Sequence, residues 1–435
     1  MAGPAIRALE LCRALSTRFR TTLVSRSAGD FAGCPGVEFI EASDDAVRDT
    51  AARSDIVVVQ GDVLMRWPDL RRTRAALVAD LYCPLPLELL ETSAGSDIAQ
   101  RWPLNEQASM LLIDQILHAD HFICASERQA DLWLGSLMLL NRINPLRFPT
   151  SSSSSLEDVL TVVPFGIPEP RAASRKGRLR ARFGIPADDL ILLWGGGIYE
   201  WFDPETLILA VDALRKQGSA VHLVFLGGVH PASAASHDRR ALAARSLAER
   251  LGLLGRHVHF NEGWIDYDDR FDYFADADLG VIAHHRTLET RYSFRTRVLD
   301  YFWAGLPVLC TEGDHFAKEI ESHSLGAVAR FGSVDDWTRL ISQFSVRRQR
   351  EEAQAHVLRY AAQHRWSCSV APLVPVLERL EPAPDRALVR SGMLALLGHR
   401  IPSLVMRANR AFQRGGLRAL ASGARRRAMA RLRRV

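Results

Sequence analysis

Between Glu289 and Asp314 the chain sets charged groups at spacings that suit an anion. Glu289 follows the apolar run 279–283, Arg295 and Arg297 come next, and Asp300 stands three residues beyond Arg297. That i,i+3 spacing puts Arg297 and Asp300 on one helix face. Guanidinium groups at the opening of a helix suit phosphate, because their donor fork matches its oxygens and the helix N-terminus adds positive potential. Ala304-Gly305-Leu306-Pro307 ends the helix, and Val308–Cys310 reads as a strand feeding a polar loop from Thr311 to Asp314. Strand, loop, charged helix start and strand is how an α/β domain builds a site for an anion or a nucleotide.

Other polar groups are weighed against plainer roles. Gly195-Gly196-Gly197 after the strand 190–194 lets a backbone approach phosphate, and equally forms a tight turn. Asp80 ends the strand Ala76–Asp80, where it would face a cleft. Trp201 and Trp264 either stack on a base or sugar or simply pack. Adjacent His284 and His285 cannot share a helix face and no acid stands at ligand spacing, so they read as polar loop residues. Asp276-Ala-Asp278 ends a helix and starts a buried strand, which argues for helix termination; no metal is expected.

The elements that position these groups alternate along the chain. Strands are expected at 22–25, 37–40, 55–60, 76–80 and 121–125, with helices at 5–19, 44–53, 97–119 and 126–140. Helix 5–19 has no strand ahead of it, so a first strand is expected to be lost or to lie upstream. Ser151–Ser155 lacks the glycines and lysine of a phosphate loop and reads as a flexible insertion. Thr161–Pro170 is a last strand running into a Pro/Gly linker. The alternation then restarts, with strands at 190–194, 221–226, 257–260, 279–283, 307–310 and 326–329. Its helices are expected at 204–217 (capped by Asp203), 237–251, 266–275, 294–304, 314–322 and 334–345. Helices at about 347–364 and 366–380 follow.

Short strands that are apolar on both faces fit covered parallel sheets, so the fold class is α/β with two doubly wound, Rossmann-like domains facing across a cleft. Residues 1–165 and 166–346 are the expected domains, 347–385 closing helices, and 386–435 a basic tail. The 435 residues, 47% hydrophobic and 24% charged, have the balance of a soluble globular protein. The +5 net charge hides an asymmetry: residues 386–435 carry 13 arginines and no acid, which leaves 42 basic against 50 acidic residues, a body of −8. A nucleic-acid partner is therefore not expected. The tail mixes arginine with Leu, Met and Val, and either lies on an anionic bilayer or is a disordered extension. Six scattered cysteines without a CxxC pair fit reduced thiols of a cytoplasmic protein. No signal peptide or spanning segment is visible.

Ala304-Gly305-Leu306-Pro307-Val308, with Asp300 five residues before Gly305, resembles the donor motif of the GT-B glycosyltransferases of glycosyltransferase family 4, the group 1 enzymes. There a glutamate, seven residues and a second glutamate precede a small residue, Gly, any residue, Pro and Val. The resemblance implies that Asp300 holds the nucleotide's ribose hydroxyls, one methylene shorter than glutamate. The first glutamate's place falls on Tyr292; Glu289, three residues earlier, takes that role through a longer loop, or the role is lost. The family's Gly-Arg and Lys-Gly, which neutralise the diphosphate, correspond to the stretch from Gly196 to Asp203, where Gly197 and Phe202 replace arginine and lysine. Arg295 and Arg297 are expected to take over that charge.

The stretch from Asn261 to Ile265 resembles the loop whose backbone reads the base, and Met1–Arg7 resembles a glycine loop, adding Gly3 and Arg7 to the donor-binding candidates. Ser126-Glu127-Arg128 and Val163–Ile167 resemble the last helix start and exit strand of the first domain. The implied activity moves a sugar from a nucleotide-diphosphate sugar to a glycan or lipid-linked acceptor, with retention and without a metal or other cofactor. Its candidate catalytic residues are Glu289 and Asp80. Its donor-binding set is Gly3, Arg7, Gly196, Gly197, Ile265, Arg295, Arg297, Asp300 and Thr311. The alternatives are a catalytically weakened scaffold or binding subunit, or a nucleotide-sugar epimerase of the same form. The expected place is the cytoplasm, peripheral to the inner face of the membrane.

Overall fold

A computed structural model describes residues 3–26, 34–148, 156–173, 177–227, 238–263, 265 and 269–389. Ser151–Ser155, Trp264 and the tail from residue 390 lie outside the described residues. The first half holds strands β1 (Thr21–Ser25), β2 (Val37–Glu41), β3 (Ile56–Gln60), β4 (Ala76–Asp80), β5 (His121–Cys124) and β6 (Leu160–Val162). The second holds β7 (Leu190–Trp194), β8 (Val221–Phe225), β9 (Val258–Phe260), β10 (Leu279–Ile282), β11 (Val308–Thr311) and β12 (Gly326–Ala329).

The second sheet runs β12-β11-β10-β7-β8-β9, with every ladder parallel. Winding out from β7 in both directions makes β7 and β10 neighbours, so the strand order reverses between them. Loops leaving their carboxyl ends diverge and open a crevice there. Every residue of β4, β7, β8, β10 and β11 is buried, as runs apolar on both faces require under helices on each side. The first half is less continuous. β3-β4-β5-β6 form one parallel sheet, β1 and β2 pair only with each other, and no ladder among the described residues joins β1 to β3.

In the first half the helices are α1 (Gly3–Leu15), α2 (Asp44–Ala52), α3 (Val63–Arg66), α4 (Leu85–Thr92), α5 (Ile98–His118) and α6 (Glu127–Leu139). In the second they are α7 (Arg178–Phe183), α8 (Pro204–Lys216), α9 (Asp238–Arg250), α10 (Arg270–Phe274), α11 (Leu288–Tyr292), α12 (Thr296–Trp303), α13 (His315–Ser322) and α14 (Val334–Phe344). α15 (Arg347–Gln363), α16 (Trp366–Val370) and α17 (Val374–Arg379) close the chain. Asp203 caps α8 as its sequence predicts, accepting from the Thr206 amide at 3.1 Å.

Two expectations are corrected and one helix is added. α1 begins at Gly3 itself, so Gly3 is helical rather than part of a loop, and it stops at Leu15. The hydroxyls of Ser16 and Thr17 bond the Arg13 and Ala14 carbonyls there and compete with the next helical turn. The helix expected at 294–304 is present as α12, and a short helix the sequence did not suggest, α11, precedes it with extended Ser293 at its C-terminal cap. The helix expected at 366–380 breaks into α16 and α17, because Pro372 and Pro375 lack the amides a continuous helix needs.

The closing helices bring the chain back to its first half. α16 packs on α1. The Ile167 amide donates to the His364 carbonyl at 2.8 Å, and a Cβ on Gly166 would overlap the Trp366 backbone. Beyond α17, buried Asp385 binds Arg142 at 3.0 Å and Arg147 at 3.4 Å. No helix among the described residues is long and apolar enough to cross a membrane.

Candidate functional site

The loops at the carboxyl ends of β7 and β10 gather most of the residues the sequence singles out. After β7 the chain turns through Gly195, Gly196 and Gly197, pressed between other elements. The Gly195 amide donates to the Tyr301 hydroxyl at 2.9 Å, and that hydroxyl donates to the Val281 carbonyl at 2.9 Å. A Cβ on Gly195 would come within 2.6 Å of the Phe274 ring, and one on Gly227 would overlap the backbone of Gly196. Gly195 and Gly227 are therefore required by packing, whereas a Cβ on Gly196 or Gly197 would meet only the Arg297 and Tyr199 side chains, at 3.3 and 3.2 Å.

Arg297 lies against this turn. Its Nη2 donates to the Gly197 carbonyl at 2.7 Å, and its guanidinium sits 4.2 Å from the Phe202 ring centroid and 5.1 Å from that of Trp194. Burial pushes its pKa down to about 10, which still leaves it a cation at neutral pH. Nη1 is buried and has no hydrogen-bond partner among the described residues. A buried charged donor without a partner is costly, which makes this nitrogen a place for a ligand oxygen.

Arg295 is arranged differently. Nη1 and Nη2 donate to the two carboxylate oxygens of Glu289 at 2.8 and 2.5 Å, with side-chain exposures of 6% and 1%. Ser293 Oγ adds a hydrogen bond to Glu289 Oε1 at 2.5 Å. Thr287 caps α11, and the turn of that helix places Glu289 to meet a guanidinium six residues later. The expectation that Arg295 faces a diphosphate must therefore be corrected: its charge is matched within the protein. Nor do Arg297 and Asp300 form the ion pair their spacing allows. Asp300 pairs with Arg270 Nη2 at 2.9 Å, and burial raises its carboxyl pKa while Arg270 and Arg297 hold it down. Arg270 was not singled out by the sequence.

Thr311 ends β11 with its hydroxyl accepting from the His284 amide at 3.0 Å, which ties the loops of β10 and β11 together. His284 is fully buried against Phe331 rather than a polar loop residue, and burial drives its pKa well below the ordinary imidazole value, so the ring is neutral. Trp201 is buried in the core and stacks on Tyr199 at 5.0 Å. Ile265 packs partly buried against the same core. Asp276 accepts from the first amides of α7 at 2.9 Å, and Asp278 from the Ile191 amide at 2.8 Å, so the two carboxylates serve different backbone groups.

In the first half Asp80 and Arg7, predicted separately, form one buried pair. Arg7 Nε donates to Asp80 Oδ2 at 2.6 Å, and the guanidinium lies 4.7 Å from the Phe165 ring centroid. Phe165 stacks on Phe294 of the second half at 5.5 Å, which puts this pair beside the seam between the halves. Gln129 crosses that seam, donating to the carbonyls of Tyr82 and Tyr292 at 2.7 and 2.9 Å.

Two parallel α/β halves meeting along such a seam define a GT-B fold. The sequence matches no family model and no curated protein. Solved structures share the whole arrangement. The chain is similar to sucrose-phosphate synthase from Thermosynechococcus elongatus, with a TM-score of 0.60 at 16% identity over 87% of this chain and 93% of that one. HepE from Anabaena, solved with UDP and glucose, gives 0.62 at 15% identity over 87% and 96%. WaaG, a glycosyltransferase involved in lipopolysaccharide biosynthesis, gives 0.55 at 18% identity over 86% and 95%.

Proposed function

We propose that the protein is a glycosyltransferase that moves a sugar from a nucleotide-diphosphate donor to a glycan or lipid-linked acceptor. The observation that carries this reading is the unpartnered, buried Arg297 Nη1 beside the Gly195–Gly197 turn, at the point where the strand order of the second sheet reverses. A diphosphate there would lie against Arg297, which would meet the charge that develops as the glycosidic bond breaks. Asp300, held by Arg270, would accept from the ribose hydroxyls, with Ile265 on the loop toward the base. The resemblance to family 4 adds retention and independence of metal. HepE was solved with UDP and glucose in a fold of this kind, which supports a nucleotide-sugar donor.

A second reading has its own observation. With Arg295 neutralised by Glu289 and Asp80 paired with Arg7, the chain has fewer free charges for chemistry than the sequence promises. A binding or scaffold subunit that keeps the nucleotide site fits that arrangement. Thermal unfolding with UDP, GDP, ADP and their sugar esters, followed by assay for transfer or donor hydrolysis, separates the two. Ligand at ~100 times its Kd stabilises by ~2.7 kcal/mol. Stabilisation with turnover supports the enzyme, stabilisation alone the scaffold, and no response to any nucleotide rejects both. The basic segment 386–435 would hold the protein at an anionic membrane, and removal of that segment should abolish binding to anionic vesicles.

A further inference from the structure

The hairpin of α4 and α5 belongs to the first half of the chain but lies over the second. α4 packs against α11, which carries Glu289 at the end of the β10 loop. At the hairpin turn, a Cβ on Gly95 would overlap the guanidinium of Arg239 on α9. Arg239 is held at 2.8 Å by Glu200, in the loop that follows β7. One end of the hairpin is thus anchored over the β10 loop and its tip beside the β7 loop. The path between those points crosses the place where the strand order reverses. Cavities of about 470 and 300 Å³ lie elsewhere, one beside α2 and the other beside α13.

Between its two anchors α4 carries Glu88 and Glu91, three residues apart and so on neighbouring turns of one face. The Glu91 carboxylate has no hydrogen bond or ion pair among the described residues, and Glu88 meets only the Cys83 thiol. Both lie within electrostatic reach of Glu289, whose own oxygens are filled by Arg295 and Ser293. Burial raises the pKa of each, and the Glu289 charge adds to the rise.

We propose that Glu88 and Glu91, delivered by the α4–α5 hairpin, bind the hydroxyls of the sugar being transferred, and that the hairpin closes over the donor as a lid. This rests on the glycosyltransferase reading above and assigns its sugar specificity. Glu289 has little acceptor capacity left, whereas Glu91, with no partner among the described residues, and Glu88, met only by the Cys83 thiol, present several acceptors to a polyol. Glu88 and Glu91 would repel an acidic sugar, so the substrate class is a neutral hexose rather than a uronic acid.

The test compares each of UDP, GDP and ADP with its glucose ester by calorimetry, on the full chain and on Glu91→Gln, Glu88→Gln and Gly95→Leu. The glucose ester should bind the full chain more tightly than the free nucleotide. Losing one charge-assisted hydrogen bond should then cost the glutamine variants ~10-fold or more in affinity for the ester and leave the free nucleotide unchanged. Gly95→Leu, which must displace the Arg239 guanidinium and so disturb its pairing with Glu200, should weaken the same preference. Retained nucleotide binding shows that each variant is folded. Equal ester affinity in the full chain and all three variants overturns the lid and its carboxylates while the donor site stands. Failure of the full chain to bind any nucleotide overturns the functional reading and this inference with it.

Discussion

Arg295 grips Glu289 through both of its terminal nitrogens, at 2.8 and 2.5 Å, inside a seam that leaves the two side chains 6% and 1% exposed. Removing one partner of such a pair leaves a buried charge unmatched, which costs about 3–5 kcal/mol, whereas replacing both with apolar groups is near neutral. Glu289→Gln should therefore lower the thermal midpoint by several degrees, and Glu289→Leu with Arg295→Met should recover most of the loss. A double variant no more stable than the single one would show that the pair is not the source of the effect.

Arg297 is predicted to matter for nucleotide rather than for stability. Arg297→Ala should weaken UDP-type ligands by about tenfold or more, since a charge-assisted hydrogen bond contributes ~1.5–3 kcal/mol. Arg297→Lys keeps the charge but loses the planar stacking on Phe202 and should restore only part of the affinity. Calorimetric titration of both variants decides it, and unchanged affinity in the alanine variant would move the diphosphate elsewhere.

Gly227→Ala offers a test that touches no charge. Its Cβ would push on the backbone of Gly196, so the β7 turn must shift. Overpacking costs typically ~1–3 kcal/mol, and here nucleotide affinity should fall with it. Denaturation and binding measured on the same sample should both change.

Asp314 gives a pH signature. It caps α13 through the Ala317 amide at 2.8 Å, and burial lifts its pKa from 3.8 to about 6, against the opposing pull of Arg295. The folded protein holds this proton more tightly than the unfolded chain. The group's contribution is therefore fully present below pH ~4 and is lost as pH rises to about 6. Asp314→Asn keeps an amide-capping oxygen and removes the titration, so it should gain on the native protein by on the order of 2–3 kcal/mol between pH 4 and 7. Parallel stability curves would contradict the shift.

Much of the architecture was legible because it rests on local rules. Apolar runs such as Leu190–Trp194 declare buried parallel strands, and Asp203-Pro204 declares a helix start. The partners of the charged side chains were not legible. Arg7 and Asp80 stand 73 residues apart, and Arg270 meets Asp300 through the packing of α10 beside α12. Neither encounter has a periodicity to reveal it. The i,i+3 spacing of Arg297 and Asp300 shows the limit of the rule: both side chains found better partners off their own helix. α11 was missed because a five-residue helix carries too little pattern to stand out from a loop.

The return of the chain across the seam has a mechanical consequence. The outgoing linker near Gly166 and the returning segment at Trp366 cross side by side, and the Arg142–Asp385 pair holds the returned end to the first half. Because both crossings lie together, any relative movement of the halves has to bend the chain at Gly166 and Trp366, much as a folded sheet of paper can flex only along its crease.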